Sequence, residues 1–284
     1  TNGYTDYDGG GMYNTSSSPT LENCTFTNNT ATNFGGGMYN YESSPTLTNC
    51  IFTGNTSKYG GGGGMSNTSS SPTLTNCSFT GNTARRGGGM DNDQYSSPTL
   101  ENCAFTNNHA TIGDGGGMYN GGGSSPTLNT CTFENNHVTG HNATFGGGMY
   151  NSSSSSPTLN TCTFTGNTAP VTGGGMYNDY SDPLLYSNPT LTDTTVCGNT
   201  PDQINGAWTD NGGNIVADEC PVDPVAWTVD DDGEADFDNI QAAIAASLHG
   251  DEILVMPGTY TGAGNQVIDM LGKAIWLHSS DGFE

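Results

Sequence analysis

A block of six residues, Gly-Gly-Gly-Met-Tyr-Asn or a near copy, recurs along most of the chain, and its spacing limits what the chain can become. Its methionine falls at Met12, Met38, Met65, Met90, Met118, Met149 and Met176, a period of 25 to 31 residues. After each block comes Pro-Thr-Leu and then Cys-x-Phe, as in Pro45-Thr46-Leu47 and Cys50-Ile51-Phe52. A unit of this length cannot bury its apolar face alone, so neighbouring copies must stack. The choice lies between a solenoid and a propeller.

Each unit offers three extended pieces: Gly-Gly-Met-Tyr-Asn, Pro-Thr-Leu and Cys-Thr-Phe-Thr. In the third, Cys and Phe alternate with Thr, the period of a half-buried strand. Asn, Gly and Ser-Ser-Pro fill the breaks, where bends and left-handed positions are needed. A propeller blade takes four longer strands and about 40–50 residues. The reading is therefore an all-β, right-handed parallel β-helix over residues 1–192, with about seven coils and three short strands per coil.

Coils about 4.8 Å apart bring equivalent side chains into ladders. The expected inward columns are Leu21, Leu47, Leu74, Leu100, Leu128 and Leu159, then Phe26, Phe52, Phe79, Phe105, Phe133 and Phe164, and the methionines. Such columns let a chain that is only 32% hydrophobic build a core. Asn29, Asn55, Asn82, Asn108, Asn136 and Asn167 recur at a bend, where a stacked amide can pair otherwise buried backbone. Spacing varies most between Phe and the next Met, which puts the variable loop on one edge.

The net charge of −24 excludes nucleic acid as a partner, because phosphate binding needs clustered Lys and Arg. Residues 1–192 carry 11 acids against Lys58, Arg85 and Arg86, and residues 193–284 carry 17 against Lys273. No stretch approaches the roughly 20 apolar residues of a membrane span. Scarce Lys and abundant Thr, Asn and Gly suggest a secreted, extracellular bacterial protein. The chain opens in mid-repeat at Thr1, consistent with an upstream leader or domain.

After Thr192 the pattern breaks: Thr194 takes the ladder Cys position, and Cys197 falls on the opposite face to Val196. Residues 193–221 read as a cap on the array. Cys197 and Cys220 both leave the ladder and are expected to form a disulfide. Residues 222–284 start afresh, with Trp227-Thr228-Val229, an apolar helical spacing over 237–248, and Gly250-Asp251-Glu252-Ile253-Leu254-Val255-Met256-Pro257-Gly258-Thr259-Tyr260.

The repeat, through Gly-Gly-Gly-Met-Tyr-Asn and Leu-x-Asn-Cys-x-Phe-x-x-Asn, resembles the repeats of chlamydial polymorphic outer membrane proteins and of secreted β-helix proteins from environmental bacteria. The resemblance implies surface display, adhesion or autotransport. Residues 222–284 resemble the amino-terminal cap of pectinesterase-like β-helices. An entry cap at the far end of the chain, with an open coil at residue 1, suggests head-to-tail assembly of copies. A fragment of a longer tandem β-helix protein explains the same order. The function expected is a structural one, a unit of a surface fibre, filament or adhesin; the alternative is a polysaccharide-binding or polysaccharide-processing β-helix.

Candidate sites are few. Cys24, Cys50, Cys77, Cys103, Cys131 and Cys162 read as small buried hydrophobes in a ladder, too parallel for disulfides between coils. Tyr13, Tyr39, Tyr119, Tyr150 and Tyr177 form an expected outward column, broken by Ser66 and Asp91, that could stack on sugars or seal a contact between fibres. Thr27, Thr53, Thr80, Thr106 and Thr165 form a rail broken by Glu134, the basis of a lesser, ice-binding alternative. Asp91 and Asp93 near Arg85-Arg86 have the residue types of a glycosidase acid pair, though a solvated salt-bridged loop accounts for them. His109, His137, His141 and His249 read as isolated loop residues. No convergent catalytic set is present, so the chain is read as a non-enzyme without a cofactor. Asp230, Asp232 and Asp236 around Gly233 are the one candidate Ca²⁺ site, against the plainer reading of an acidic turn before a helix.

Overall fold

A computed structural model describes residues 1–140, 144–220, 226–231, 235–247, 251–260, 268–270 and 275–280. The chain divides into two compact units, Thr1–Cys220 and Pro221–Glu284.

The first unit is a parallel β-helix with four sheets rather than three, the fourth joined by six strands and the others by eight. A methionine sheet holds strands such as Met38–Tyr41, a leucine sheet Thr46–Thr48, and a phenylalanine sheet Ile51–Thr53. The unexpected fourth is a short sheet of two-residue strands such as Thr56–Ser57. Two residues are too few to display an alternating pattern, which is why these strands read as bends. Every pairing is parallel and in repeat register: Met38 with Met65, Leu47 with Leu74, Phe52 with Phe79. The three longer sheets reach eight strands, one more than the seven coils expected. The extra coil comes from the segment expected as a cap. Ile204 pairs with Met176, Thr209 with Thr190 and Val216 with Val196, so the pairing continues although the repeat residues have changed.

The ladders form the core. Leu47, Phe52, Met65, Leu74, Phe79, Met90 and Phe105 are fully buried. Adjacent phenylalanine rings lie 4.7 Å apart and within 4° of parallel at Phe26–Phe52, and 4.4 Å apart at Phe133–Phe164. Such pairs contribute about 0.5–1.5 kcal/mol each beyond their burial. The bend asparagines pair along the rod: Asn55 Nδ2 donates to Asn82 Oδ1 and to the Phe26 carbonyl, each at 2.9 Å. A second buried asparagine column runs through the methionine sheet, with Asn40 Nδ2 donating to Asn67 Oδ1 at 2.8 Å. A third column uses serine, with the Ser43 amide donating to Ser70 Oγ at 2.9 Å. The bend-asparagine and serine columns thereby pair buried turn amides from coil to coil, as at Asn55 and Ser43.

The glycine triplet has a steric cause. Gly35 sits at φ 66°, where L side chains are strained. A Cβ on Gly37 would lie 2.5 Å from the Gly64 carbonyl oxygen and 2.9 Å from the Phe52 ring. The coils approach here without side chains between them.

The second unit is a three-stranded parallel sheet, Ala226–Val229, Glu252–Val255 and Trp276–Ser279, with one helix, Ile240–Ala246. Asn239 caps the helix by accepting from the Ala242 amide at 2.8 Å. Val229, Ala243, Ile244 and Ile253 form its core. Ala226 pairs with Glu252 and Glu252 with Trp276, spacings of 26 and 24 residues, close to the 25 to 31 of the first unit's repeat. Among the described residues no helix is long and apolar enough to cross a membrane.

Candidate functional site

The repeat is broken in one region of the rod by several linked changes. Ser66 and Asp91 stand where other coils have tyrosine, both of the chain's arginines sit at 85 and 86, and Gly60-Gly61 extend the glycine run. The changes compensate one another. Arg86 occupies the space the tyrosines would fill: its Nε lies 3.1 Å from Asp91 Oδ1 and its Nη2 2.7 Å from Asp93 Oδ2. Its guanidinium lies 4.4 Å from the centre of the Tyr119 ring. Ser66 Oγ donates to Asp91 Oδ2 at 3.4 Å. A side chain at Gly61 would strike that same carboxylate, so glycine is required there.

Asp91 is buried to 1% exposure, against the expectation of a solvated loop. Burial raises its pKa to about 6, with Arg86 opposing the shift. Burial also opposes the charge on Arg86, but Asp91, Tyr119 and Asp93 together raise its pKa. Asp91 and Asp93 share one guanidinium, so neither stands across an open space from the other as glycosidase acids must.

Beside this cluster lies a groove of 330 Å³ lined by Phe34, Tyr59, Gly60, Gly61, Arg85, Arg86, Ile112 and Gly113. Its lining comes from four successive coils, so it runs along the rod. The backbone holds it in register: the Arg85 amide donates to Gly60 O at 3.1 Å and the Gly113 amide to Arg85 O at 2.7 Å. Tyr59 is 68% exposed, Ile112 51% and Phe34 36%. Arg85 is exposed and, among the described residues, has no ion-pair partner. With Lys58, whose Nζ lies 5.2 Å from the Tyr4 ring centre, three of the chain's four basic residues fall in this region.

The other expected sites fare differently. Tyr39, Tyr150 and Tyr177 are buried, and only Tyr13 is well exposed. Two of the turns that enter methionine strands lie over the column, stacking Phe34 at 6.0 Å on Tyr39 and Phe145 at 4.4 Å on Tyr177 of the following coil. The tyrosines are therefore a covered layer. His109 and His137 are not isolated: they pair in register on the short sheet, with ring centres 4.3 Å apart. Burial, and then the charge of His137, lower the pKa of His109. His141 and His249 lie outside the described residues.

Cys197 and Cys220 are joined in a disulfide. The six ladder cysteines are free thiols, all buried but Cys24, and each faces carbonyls, as Cys77 Sγ does Thr75 O at 3.4 Å and Leu47 O at 3.7 Å. Asp236 accepts from the Thr228 amide and hydroxyl at 2.9 and 2.8 Å, which lowers its pKa. Asp232 lies outside the described residues, and Asp230 is described. Among the described residues no three His, Cys, Asp or Glu side chains gather as a metal site. The Thr27 rail is half-buried, as at Thr27, Thr53 and Thr80. A more regular column went unread in the sequence: Thr20, Thr46, Thr73, Thr99, Thr127, Thr158 and Thr190 stack on the outer face of the leucine sheet.

Four parallel sheets, continuous side-chain ladders and a lateral groove define a repeat-built β-solenoid. Residues 5–239 match the model of the right-handed β-helix region family, and the chain belongs to that family. No curated protein and no solved structure matches it.

Proposed function

We propose that the chain is a structural rod of the cell exterior, a unit of a surface fibre or adhesin, and not an enzyme. The observation that carries this reading is the continuity of the ladders. Leucine, phenylalanine, methionine, cysteine, asparagine and serine columns run from coil to coil in register, and stacking of this kind makes a stiff body whose length scales with repeat number. The repeat's resemblance to the chlamydial surface proteins supports the same reading, as does the second unit, whose strands have the spacing of further coils. In this reading copies stack end to end through residues 222–284. Electron microscopy of the purified protein, with and without those residues, tests it. Filaments that vanish on the deletion are the expected result, and discrete short particles in both samples argue against it.

The groove favours a second reading, polysaccharide binding. Phe34 and Tyr59 present partly exposed rings along the rod, and such faces stack on sugar rings. Glycan binding by a monomer that weakens on Tyr59→Ala would support it.

A further inference from the structure

Two features of the first unit remain without a use, and each has the chemistry the other needs. The groove joins Arg85, which has no ion-pair partner among the described residues, to the exposed apolar side chains of Phe34, Tyr59 and Ile112. In a chain of net charge −24 it is a local exception.

The other feature is a loop. Between the asparagine of the methionine block and the proline that opens the leucine strand, most coils are short: Asn40 to Pro45 is a step of 5, but Asn178 to Pro189 is a step of 11. The insertion is apolar and outward. Leu184 is 86% exposed, Tyr180 58%, Tyr186 54% and Leu185 48%. It is also ordered by its own hydrogen bonds. Ser187 N donates to Asp179 O at 2.9 Å, closing the loop, and Leu184 N donates to Asp182 Oδ1 at 2.9 Å. Leu185 O accepts from the Ser154 amide at 2.8 Å, which ties the loop to the coil before it. A preorganised loop with exposed leucines and an aspartate at its tip has the form of a ligand, since little ordering entropy remains to be lost.

We propose that residues 179–187 of one copy dock into the groove of a second copy, with the leucines against Phe34, Tyr59 and Ile112 and Asp182 against Arg85. This rests on the rod reading and names its lateral partner. Charge complementarity selects the occupant: the rod is acidic, the groove's lining holds two arginines and no acid, Arg86 is already paired with Asp91 and Asp93 while Arg85 is open, and the apolar loop carries the matching acid. The groove lies where the chain enters the methionine strands and the loop where it leaves them. One copy can therefore offer its loop to a neighbour while its groove receives another. Such a contact is heterologous and propagates, laying rods side by side in a bundle. The contact is small, below the roughly 1,200 Å² of a stable pair, so each is weak and the bundle depends on many acting together.

The test is a charge exchange on the full chain, read by sedimentation velocity over a concentration series. Arg85→Asp alone and Asp182→Arg alone should each move the onset of association to about tenfold higher concentration. Mixed one to one, the two variants present complementary pairs in both directions and should associate within about threefold of the original chain. Circular dichroism checks that both fold, and Leu184→Ser should weaken association without touching the charges. A chain that stays monomeric to about 1 mM overturns the proposal. So do single variants that associate like the parent, a mixture that does not recover, or a groove that binds cellohexaose while the chains ignore one another. Side-by-side bundles that persist after removal of residues 180–186 would keep the rod reading and remove this one; association restored by the mixture with no filaments in micrographs would do the reverse.

Discussion

Replacing Asn82 by alanine tests whether the amide ladder, and not apolar burial alone, holds the coils together. Asn82 is fully buried. Its Nδ2 donates to Phe52 O at 2.9 Å and to Asn108 Oδ1 at 3.0 Å, and its Oδ1 accepts from both the amide and the side chain of Asn55 at 2.9 Å. Alanine leaves the Asn55 backbone amide without its partner and takes one bond each from Asn55 Nδ2, which keeps the Phe26 carbonyl, and from the Phe52 carbonyl, while Asn108 Oδ1 keeps the Asn82 backbone amide at 3.0 Å. One orphaned buried amide at about 1–3 kcal/mol and two lost hydrogen bonds at about 0.5–1.5 kcal/mol each give a loss of roughly 2–6 kcal/mol, toward the lower end where water enters the space. The comparison is Asn102→Gly, which keeps the positive φ and removes only an exposed ladder bond, Asn102 Nδ2 to Asn76 Oδ1 at 2.8 Å. It should cost about 1 kcal/mol or less. Urea denaturation gives the two differences, and hydrogen exchange at the Asn55 amide localises the first. If Asn82→Ala costs no more than Asn102→Gly, the ladder argument is wrong.

Other expectations follow from single sites. Gly61→Ala places a methyl group against the Asp91 carboxylate and should cost about 1–3 kcal/mol by thermal melting, whereas Gly113→Ala, with its nearest contact at 3.1 Å, should cost less. Asp91 has a folded pKa of about 6, above its ordinary 3.8, so its protonation favours the fold. That contribution is complete below pH 3.8 and is lost as pH rises through about 6, and Asp91→Asn should flatten the urea midpoint over this range. His109 has the opposite sign: its pKa is lowered from 6.5, so stability falls as pH drops below that value, and His109→Thr should reduce the acid sensitivity. Reducing the Cys197–Cys220 disulfide should raise hydrogen exchange in the last coil, at residues 204–217, and leave the coils around Phe79 protected.

The fold was legible because its determinants repeat. Phe52, Phe79 and Phe105 occupy the same slot in successive units, and a slot filled by the same bulky residue every turn can only be a stacked interior. The short sheet was not legible, since Thr56–Ser57 and His109–Ala110 are too brief for a pattern. The methionine strand misled for a related reason. Alternation puts Tyr39 on the outer face, as the sequence implies, but nothing in alternation reveals that the preceding turn lies over it. The groove could have been found. Ser66, Asp91, Arg86 and Gly61 each depart from the repeat within two units, and departures that cluster in sequence and compensate in charge mark a place where the rod does something besides stack. The loop at 179–187 was visible as extra length, but its ordered, outward apolar tip depends on hydrogen bonds to Asp179 and Ser154 that no spacing rule predicts.

A building rod differs from a monomeric glycan binder in how its copies associate. Cryo-electron microscopy of the full chain at rising protein concentration tests it most directly. A building rod should join end to end and gather side by side, with a repeat of about 4.8 Å along its axis. Single short particles that stay separate at every concentration, and that bind a glycan as monomers, would contradict it.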